Sequence, residues 1–193
     1  MKNLSNLATR RTPAYHSALT PKRSDNSFNS LTPKEVEHLR KLKKNIIMIT
    51  YQVDGVKMPP IRRRQISAWV KAVAATYGKR VGDIGYIFCN DEKILEVNRQ
   101  YLQHDYYTDI ITFDYCDDAL LTGKKDTIAG DLFISLDTVR SNAQQQGTTY
   151  DEELHRVIIH GILHLCGIND KGPGEREIME AAENKALKLR VES

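Results

Sequence analysis

The sequence predicts an α+β domain, a small four-stranded mixed sheet packed with about five helices, and three observations lead there. From Met48 onward, short apolar runs of strand length alternate with longer segments of helical period. The helical segments gather toward the C-terminus instead of following every strand. The chain has 193 residues and is 40% hydrophobic, enough for one core and too little for two large domains.

Each element has a local reason. Ile49-Thr50-Tyr51-Gln52-Val53 is rich in β-branched and aromatic residues and stops at Asp54-Gly55, a turn pair. Residues 60–77 carry Ile61, Trp69, Val73 and several alanines before Gly78, which predicts a helix with a glycine end. Gly85-Tyr86-Ile87-Phe88-Cys89 is the second strand. Asn90 or Asp91 caps a helix through Leu102, with Ile94, Val97 and Tyr101 on one face. Residues 110–115 and 128–134 are the third and fourth strands, separated by a polar turn at Thr122-Gly123-Lys124-Lys125. Helices follow at 136–146, 150–166 and 174–190.

Charge divides the chain unevenly. Residues 1–47 hold 10 Lys/Arg and 3 Asp/Glu, a net +7, whereas residues 48–193 hold 18 and 22, a net −4. The formal +3 of the whole is therefore a basic extension, residues 1–47, on a mildly acidic domain, residues 48–193. Residues 1–31 are Ser/Thr-rich, nearly free of acids and interrupted by Pro13 and Pro21, a composition that predicts disorder. An organellar leader is a second reading of that stretch, and translation from Met48 a third. Thr32-Pro33-Lys34-Glu35 has the form of a capping box and allows a short helix after it. Cys89, Cys116 and Cys166 are odd in number and widely spaced, which points to a reducing compartment without disulfides or a cysteine zinc site. No apolar run reaches membrane-spanning length and no secretory leader is visible, so the expectation is a soluble, cytoplasmic protein without a membrane partner.

Thr149-Tyr150-Asp151-Glu152 is a capping box, and Asp151, Glu152 and Glu153 complement a helix N-terminus. Along Val157 to Gly167 apolar residues surround the helix on every side, so it is a central, buried one. His160 and His164 are its ionisable groups there; four residues advance a helix by about 400°, so they share a face, one turn apart. Two core histidines satisfied by backbone carbonyls would explain the pair. Metal ligation explains more: Gly167 ends the helix, the chain turns back, and Asp170 completes H-x-x-x-H-x-x-G-x-x-D, the zincin spacing with a carboxylate in third place. Two histidines and a carboxylate make an open, catalytic type of zinc site, and the same set also suits ferrous iron. Metallopeptidases of this helix carry a glutamate base after the first histidine, where this chain has Gly161. A peptidase is thereby disfavoured.

The helix and its turn resemble the YbeY family, bacterial endoribonucleases and ribosomal RNA maturation factors with the pattern H-G-x-L-H-L-x-G-Y-D-H. Here the run is His160-Gly161-Ile162-Leu163-His164-Leu165-Cys166-Gly167-Ile168-Asn169-Asp170. Asp170 stands where the family has its third histidine, Ile168 replaces its tyrosine and Asn169 its aspartate; aspartate in the last place is similar to a Bacteroidetes-like branch. Two further blocks are similar to family motifs: Asn98-Arg99-Gln100-Tyr101 with Asp105 and Thr108-Asp109-Ile110-Ile111-Thr112-Phe113, and Gly130-Asp131-Leu132-Phe133-Ile134-Ser135. The resemblance covers about residues 48–190.

What the resemblance implies is a zincin-like metal helix and a single Zn2+ held by His160, His164 and Asp170. It implies cleavage of single-stranded RNA in ribosomal RNA processing, chiefly at the 3′ end of the 16S RNA, and in late ribosome quality control, with the small ribosomal subunit and its proteins as partners. Arg99 is expected to line the cleft and neutralise the phosphate, with His160 as the other catalytic residue; the alternative for Arg99 is a solvated helix arginine. Asp131 is a candidate to support a ligand histidine, or else an exposed strand residue. Thr108 and Asp109 read as groups that fix a strand entry, and His104 and His155 as surface residues. A ribosome assembly factor with structural zinc and, last, a zinc peptidase are the rival functions.

Overall fold

A computed structural model of the protein describes residues 6–8, 48–115 and 126–191. One sheet runs in the order β1-β4-β5-β3-β2, from β1 (Asn6–Ala8), β2 (Ile49–Val53), β3 (Arg80–Cys89), β4 (Ile110–Asp114) and β5 (Thr127–Ser135). The helices are α1 (Arg63–Thr76), α2 (Asp91–Val97), α3 (Leu136–Gln146), α4 (Tyr150–Leu165) and α5 (Glu175–Val191). The four strands and five helices expected from the sequence are present. β4 and β5 are antiparallel and the remaining pairings parallel, so the sheet is mixed.

β1 is the addition. It lies within the segment expected to be a disordered extension and pairs along β4, with Asn6 opposite Ile111. Pairing of this kind uses backbone groups on an otherwise open edge and needs little side-chain pattern, which is why composition gave no sign of it. The rest of the basic extension, the helix expected after Thr32, Cys116 and the polar turn at 122–125 lie outside the described residues.

Both faces of the sheet are covered, as its nearly continuous apolar strands require. The larger core lies between one face and α1, α3, α4 and α5, where Ile84, Tyr86, Phe88, Ile110, Leu132 and Ile134 meet Trp69, Val139, Ile158 and Ile162. The opposite face carries Ile87, Cys89, Ile111, Phe113 and Phe133 under α2, through Ile94 and Val97. Trp69 Nε1 donates to Ala186 O at 2.8 Å and ties α1 to α5 across the larger core.

Two elements differ from expectation. β3 begins at Arg80, five residues early, because its N-terminal part pairs with Thr127 and Ile128 of β5 ahead of an irregularity between Val81 and Ile84. The helix expected to reach Leu102 is α-helical only to Val97 and continues as a π-helical turn over Asn98–Leu102. Buried Asn98 drives the change: its Nδ2 donates to Tyr106 O at 2.8 Å and its carbonyl accepts from His104 N at 3.3 Å, pulling the following loop against the turn. Gln103 ends the turn in the left-handed region at φ 57°.

Candidate metal centre

α4 begins on the capping box expected for it: Thr149 Oγ1 accepts from Glu152 N at 3.2 Å and Glu152 Oε2 accepts from Thr149 N at 3.0 Å. The helix then runs between the sheet and α5, and everything from Val157 to Leu165 is buried. It can approach the strands this closely because of Gly161. A Cβ there would stand 2.2 Å from Leu132 Cδ2 and 2.8 Å from Ile110 Cδ1. Gly161 therefore faces the sheet, and His160 beside it is turned toward α5.

The turn after α4 delivers the third residue. Gly167 takes φ +95°, its N–H donating to His164 O at 2.8 Å, and Ile168 N donates to Leu163 O at 3.0 Å. That reversal brings Asp170 back onto the histidine face. His160 Nε2 lies 3.8 Å from Asp170 Oδ2, and His164 Nε2 lies 3.8 Å from Asp170 Oδ1. The imidazoles are nearly perpendicular at 88°, with centroids 4.5 Å apart. One ligand atom from each of the three residues falls within 4.8 Å of the others.

The other ring nitrogens are already engaged. His164 Nδ1 pairs with Ile168 O at 2.8 Å, and His160 Nδ1 with Glu183 Oε1 at 2.5 Å. Each bond fixes the tautomer that leaves the Nε2 lone pair for the centre. His160 Nε2 is buried with no hydrogen-bond partner among the described residues, a costly state for a polar atom that a divalent cation removes. Donor set, spacing and orphaned nitrogen together fit a divalent metal of the zinc or ferrous type. Burial, reinforced by His160, pushes His164 below its ordinary value, toward the neutral imidazole that a divalent metal takes. Burial also pulls His160 down, but the Glu183 carboxylate, with Asp109 and Asp170, outweighs it and holds this imidazole above its ordinary value.

Glu183 is the functional residue that sequence reasoning missed. It lies on α5, buried among Met179, Ala182 and Ala186, and shares its carboxylate between His160 Nδ1 and Arg156 Nη1, the latter at 3.0 Å. The signal was present: an acid at the i+4 place of an apolar stripe 179, 182, 183, 186 is out of character for a surface helix face. Glu183→Gln is expected to lower metal affinity about 10- to 100-fold while the apoprotein still folds, read by competition with a chromophoric chelator.

Asp131 needs correction as a supporter of a ligand histidine. On β5 it alternates with Leu132, which packs toward α4, and so shares the opposite face with Phe133; its Oδ2 accepts from Tyr115 Oη at 2.8 Å. The carboxylate on a histidine is that of Glu183 instead. Arg99 sits on the π-helical turn, 59% exposed, its Nε and Nη2 on Asp105 Oδ1 at 2.7 and 2.6 Å. The structure does not gather it with His160, His164 and Asp170. Thr108 fixes the entry to β4 as expected, its Oγ1 donating to Ile110 O at 3.3 Å, whereas the Asp109 carboxylate reaches α3 instead, Asn142 Nδ2 donating to its Oδ2 at 3.4 Å. His155 is buried and not a surface residue: α4 carries it against Trp69, and its Nδ1 pairs with Asp151 O at 2.6 Å.

The centre opens on a cavity of about 850 Å³ between α4, α5 and the turn joining them, lined by His160, Asp170, Glu183, Arg156, Lys171 and Arg176 among others. Scaffold and site together define a class of protein, an α+β fold whose buried helix offers two histidines and a carboxylate to a divalent metal beside a cleft. Comparison with known proteins narrows the class. The family model described as Endoribonuclease YbeY matches residues 49–190. Endoribonuclease YbeY of Bacteroides thetaiotaomicron is 72% identical over 142 residues, covering 74% of this chain and 98% of that protein. That of Phocaeicola vulgatus is 75% identical over 142 residues, again 74% and 98%. The solution structure of TM1509 from Thermotoga maritima shares the fold, with a TM-score of 0.52 at 24% identity over 74% of this chain and 89% of that one. The chain belongs to the YbeY family.

Proposed function

We propose that this protein is a zinc-dependent endoribonuclease that cleaves single-stranded RNA during ribosomal RNA processing, at the 3′ end of the small-subunit RNA and in late ribosome quality control. It acts in the cytoplasm on the small ribosomal subunit, and residues 48–193 are its catalytic domain. The observation that carries the reading is the convergence of His160 Nε2, His164 Nε2 and the Asp170 carboxylate beside a cavity that His160 and Asp170 line, in a chain whose relatives bear the name endoribonuclease. An open position is what separates a catalytic zinc site from a closed structural one. Gly161, turned into the sheet, speaks against the peptidase alternative.

Zinc held by His160, His164 and Asp170 would supply Lewis acidity for the phosphodiester and make water a better nucleophile at neutral pH. The chain's own groups do the rest. Glu183 and the Ile168 carbonyl hold the Nδ1 sides of His160 and His164, which aims both Nε2 lone pairs at the centre before any metal binds. Arg99 leaves its exposed pair with Asp105 for the substrate phosphate, an exchange that costs little because a solvated ion pair is weak. The basic extension adds the salt-dependent grip on RNA that a domain of net −4 lacks.

The test is metal analysis of the purified full-length protein with cleavage of precursor small-subunit RNA. About one zinc per chain is expected, with cleavage near the mature 3′ end that is lost on chelation and restored by zinc. Arg99→Ala should retain the metal and lower kcat/KM by about 100-fold. Cleavage undiminished in zinc-free protein overturns the reading.

A further inference from the structure

α4 carries a third polar side chain in the register of its two ligand histidines. Arg156, His160 and His164 are spaced four residues apart, so the guanidinium stands one turn before His160 on the same face. Arg156 lines the cavity with His160 and Asp170 and keeps about a third of its side chain exposed. Its Nη1 donates to Glu183 Oε2 at 3.0 Å and to Asn184 Oδ1 at 3.4 Å, and its Nε lies 3.8 Å from Glu153 Oε2. Nη2 makes no bond to the described residues.

We infer that Arg156 is a substrate-contacting residue of the cleft, binding an RNA phosphate beside the metal centre. The inference rests on the endoribonuclease reading and deepens it. Three features single this cation out. Its fork is held from behind by Glu183, which also holds His160, and by Asn184, so the free edge is preorganised for a tetrahedral anion instead of being recruited from solvent. Its place in the helix register fixes its distance from the centre, which a flexible surface side chain does not achieve. The neighbouring cavity arginine, Arg176, lies on α5 outside the register of the two histidines, its Nε on Glu180 Oε1 at 3.1 Å in a solvent-exposed pair that holds it to no fixed place beside the centre. Arg99 is tied to Asp105 on a solvent-exposed turn, whereas Arg156 lines the cavity from the same helix as His160 and His164.

The experiment compares kcat/KM of zinc-loaded wild type, Arg156→Ala and Arg156→Lys on a single-stranded RNA across a salt series, with zinc content and thermal melting of each. Arg156→Ala should lose about 100-fold in kcat/KM and flatten the slope of log kcat/KM against log salt by about 0.7, one phosphate contact on a single strand. Its zinc content should match wild type, because Glu183 still holds His160. Arg156→Lys keeps a charge against Glu153 and Glu183 and so keeps the fold; it should restore the salt slope but recover the rate only in part, since the fork is gone. A folded Arg156→Ala with unchanged slope, or loss of activity explained by lost zinc, overturns the inference and leaves the nuclease reading standing; so does Arg156→Lys at the wild-type rate if the alanine variant does not fold. Wild type without RNA cleavage overturns the nuclease reading and this inference together.

Discussion

Replacing His160 and His164 together by alanine is expected to abolish metal retention and to lower RNA cleavage by about a thousandfold or more, with the apoprotein still folded. The size follows from the geometry. Asp170 alone offers one carboxylate on a turn, too little to hold a divalent ion against water. Charge stabilisation by a metal at a phosphodiester is worth several kcal/mol, and about 4 kcal/mol is already a thousandfold in rate. The fold survives because neither histidine supports it through its Nε2, which faces the centre, while α4 remains anchored by Leu154, Ile158, Ile159 and Ile162 in the larger core. Glu183 loses one partner but keeps Arg156 at 3.0 Å. Zinc analysis, cleavage kinetics and a thermal melt decide the matter. A zinc-free double variant that cleaves at the wild-type rate would show that the centre has no part in the chemistry.

How much of this was legible in the sequence depends on how local each determinant is. The three residues of the candidate centre fall within eleven positions, on one helix and the turn that ends it, so helical period and a glycine were enough to bring them together. The boundaries of α3 and the capping box of α4 were equally local. Glu183 lies 23 residues from His160, on another helix, and only its place in an apolar stripe could have marked it. Arg156 stands at the same four-residue spacing, but nothing in that spacing sets it apart until α5 packs and brings Glu183 against it. Asp131 was misplaced for a different reason. Both faces of β5 are apolar, so alternation says that Asp131 and Leu132 point apart without saying which of them faces the metal helix. The π-helical turn at Asn98 depends on a bond to Tyr106, eight residues on, which no periodicity encodes.

Gly161→Glu, which would restore the base of a zinc peptidase next to the first histidine, is expected to prevent folding instead of conferring peptide hydrolysis. The sequence alone presents Gly161 as a missing base; the structure presents it as the contact that lets α4 lie on the sheet. Even a methyl group at this position would meet Leu132 Cδ2 at 2.2 Å, Ile110 Cδ1 at 2.8 Å and Thr112 Oγ1 at 3.0 Å. Gly161→Ala should therefore cost about 1–3 kcal/mol by overpacking, lowering the melting temperature by roughly 2–4 °C for each kcal/mol. Glutamate adds a carboxylate driven against an apolar wall, a burial worth several kcal/mol more even after relaxation. The sum approaches the whole stability of a domain this size, about 5–15 kcal/mol. Differential scanning calorimetry should find the alanine variant folded with a lowered transition and the glutamate variant aggregated or without a cooperative transition. A Gly161→Glu protein that melts like wild type would mean that position 161 has room toward the metal, and the packing argument against peptidase chemistry would fall with it.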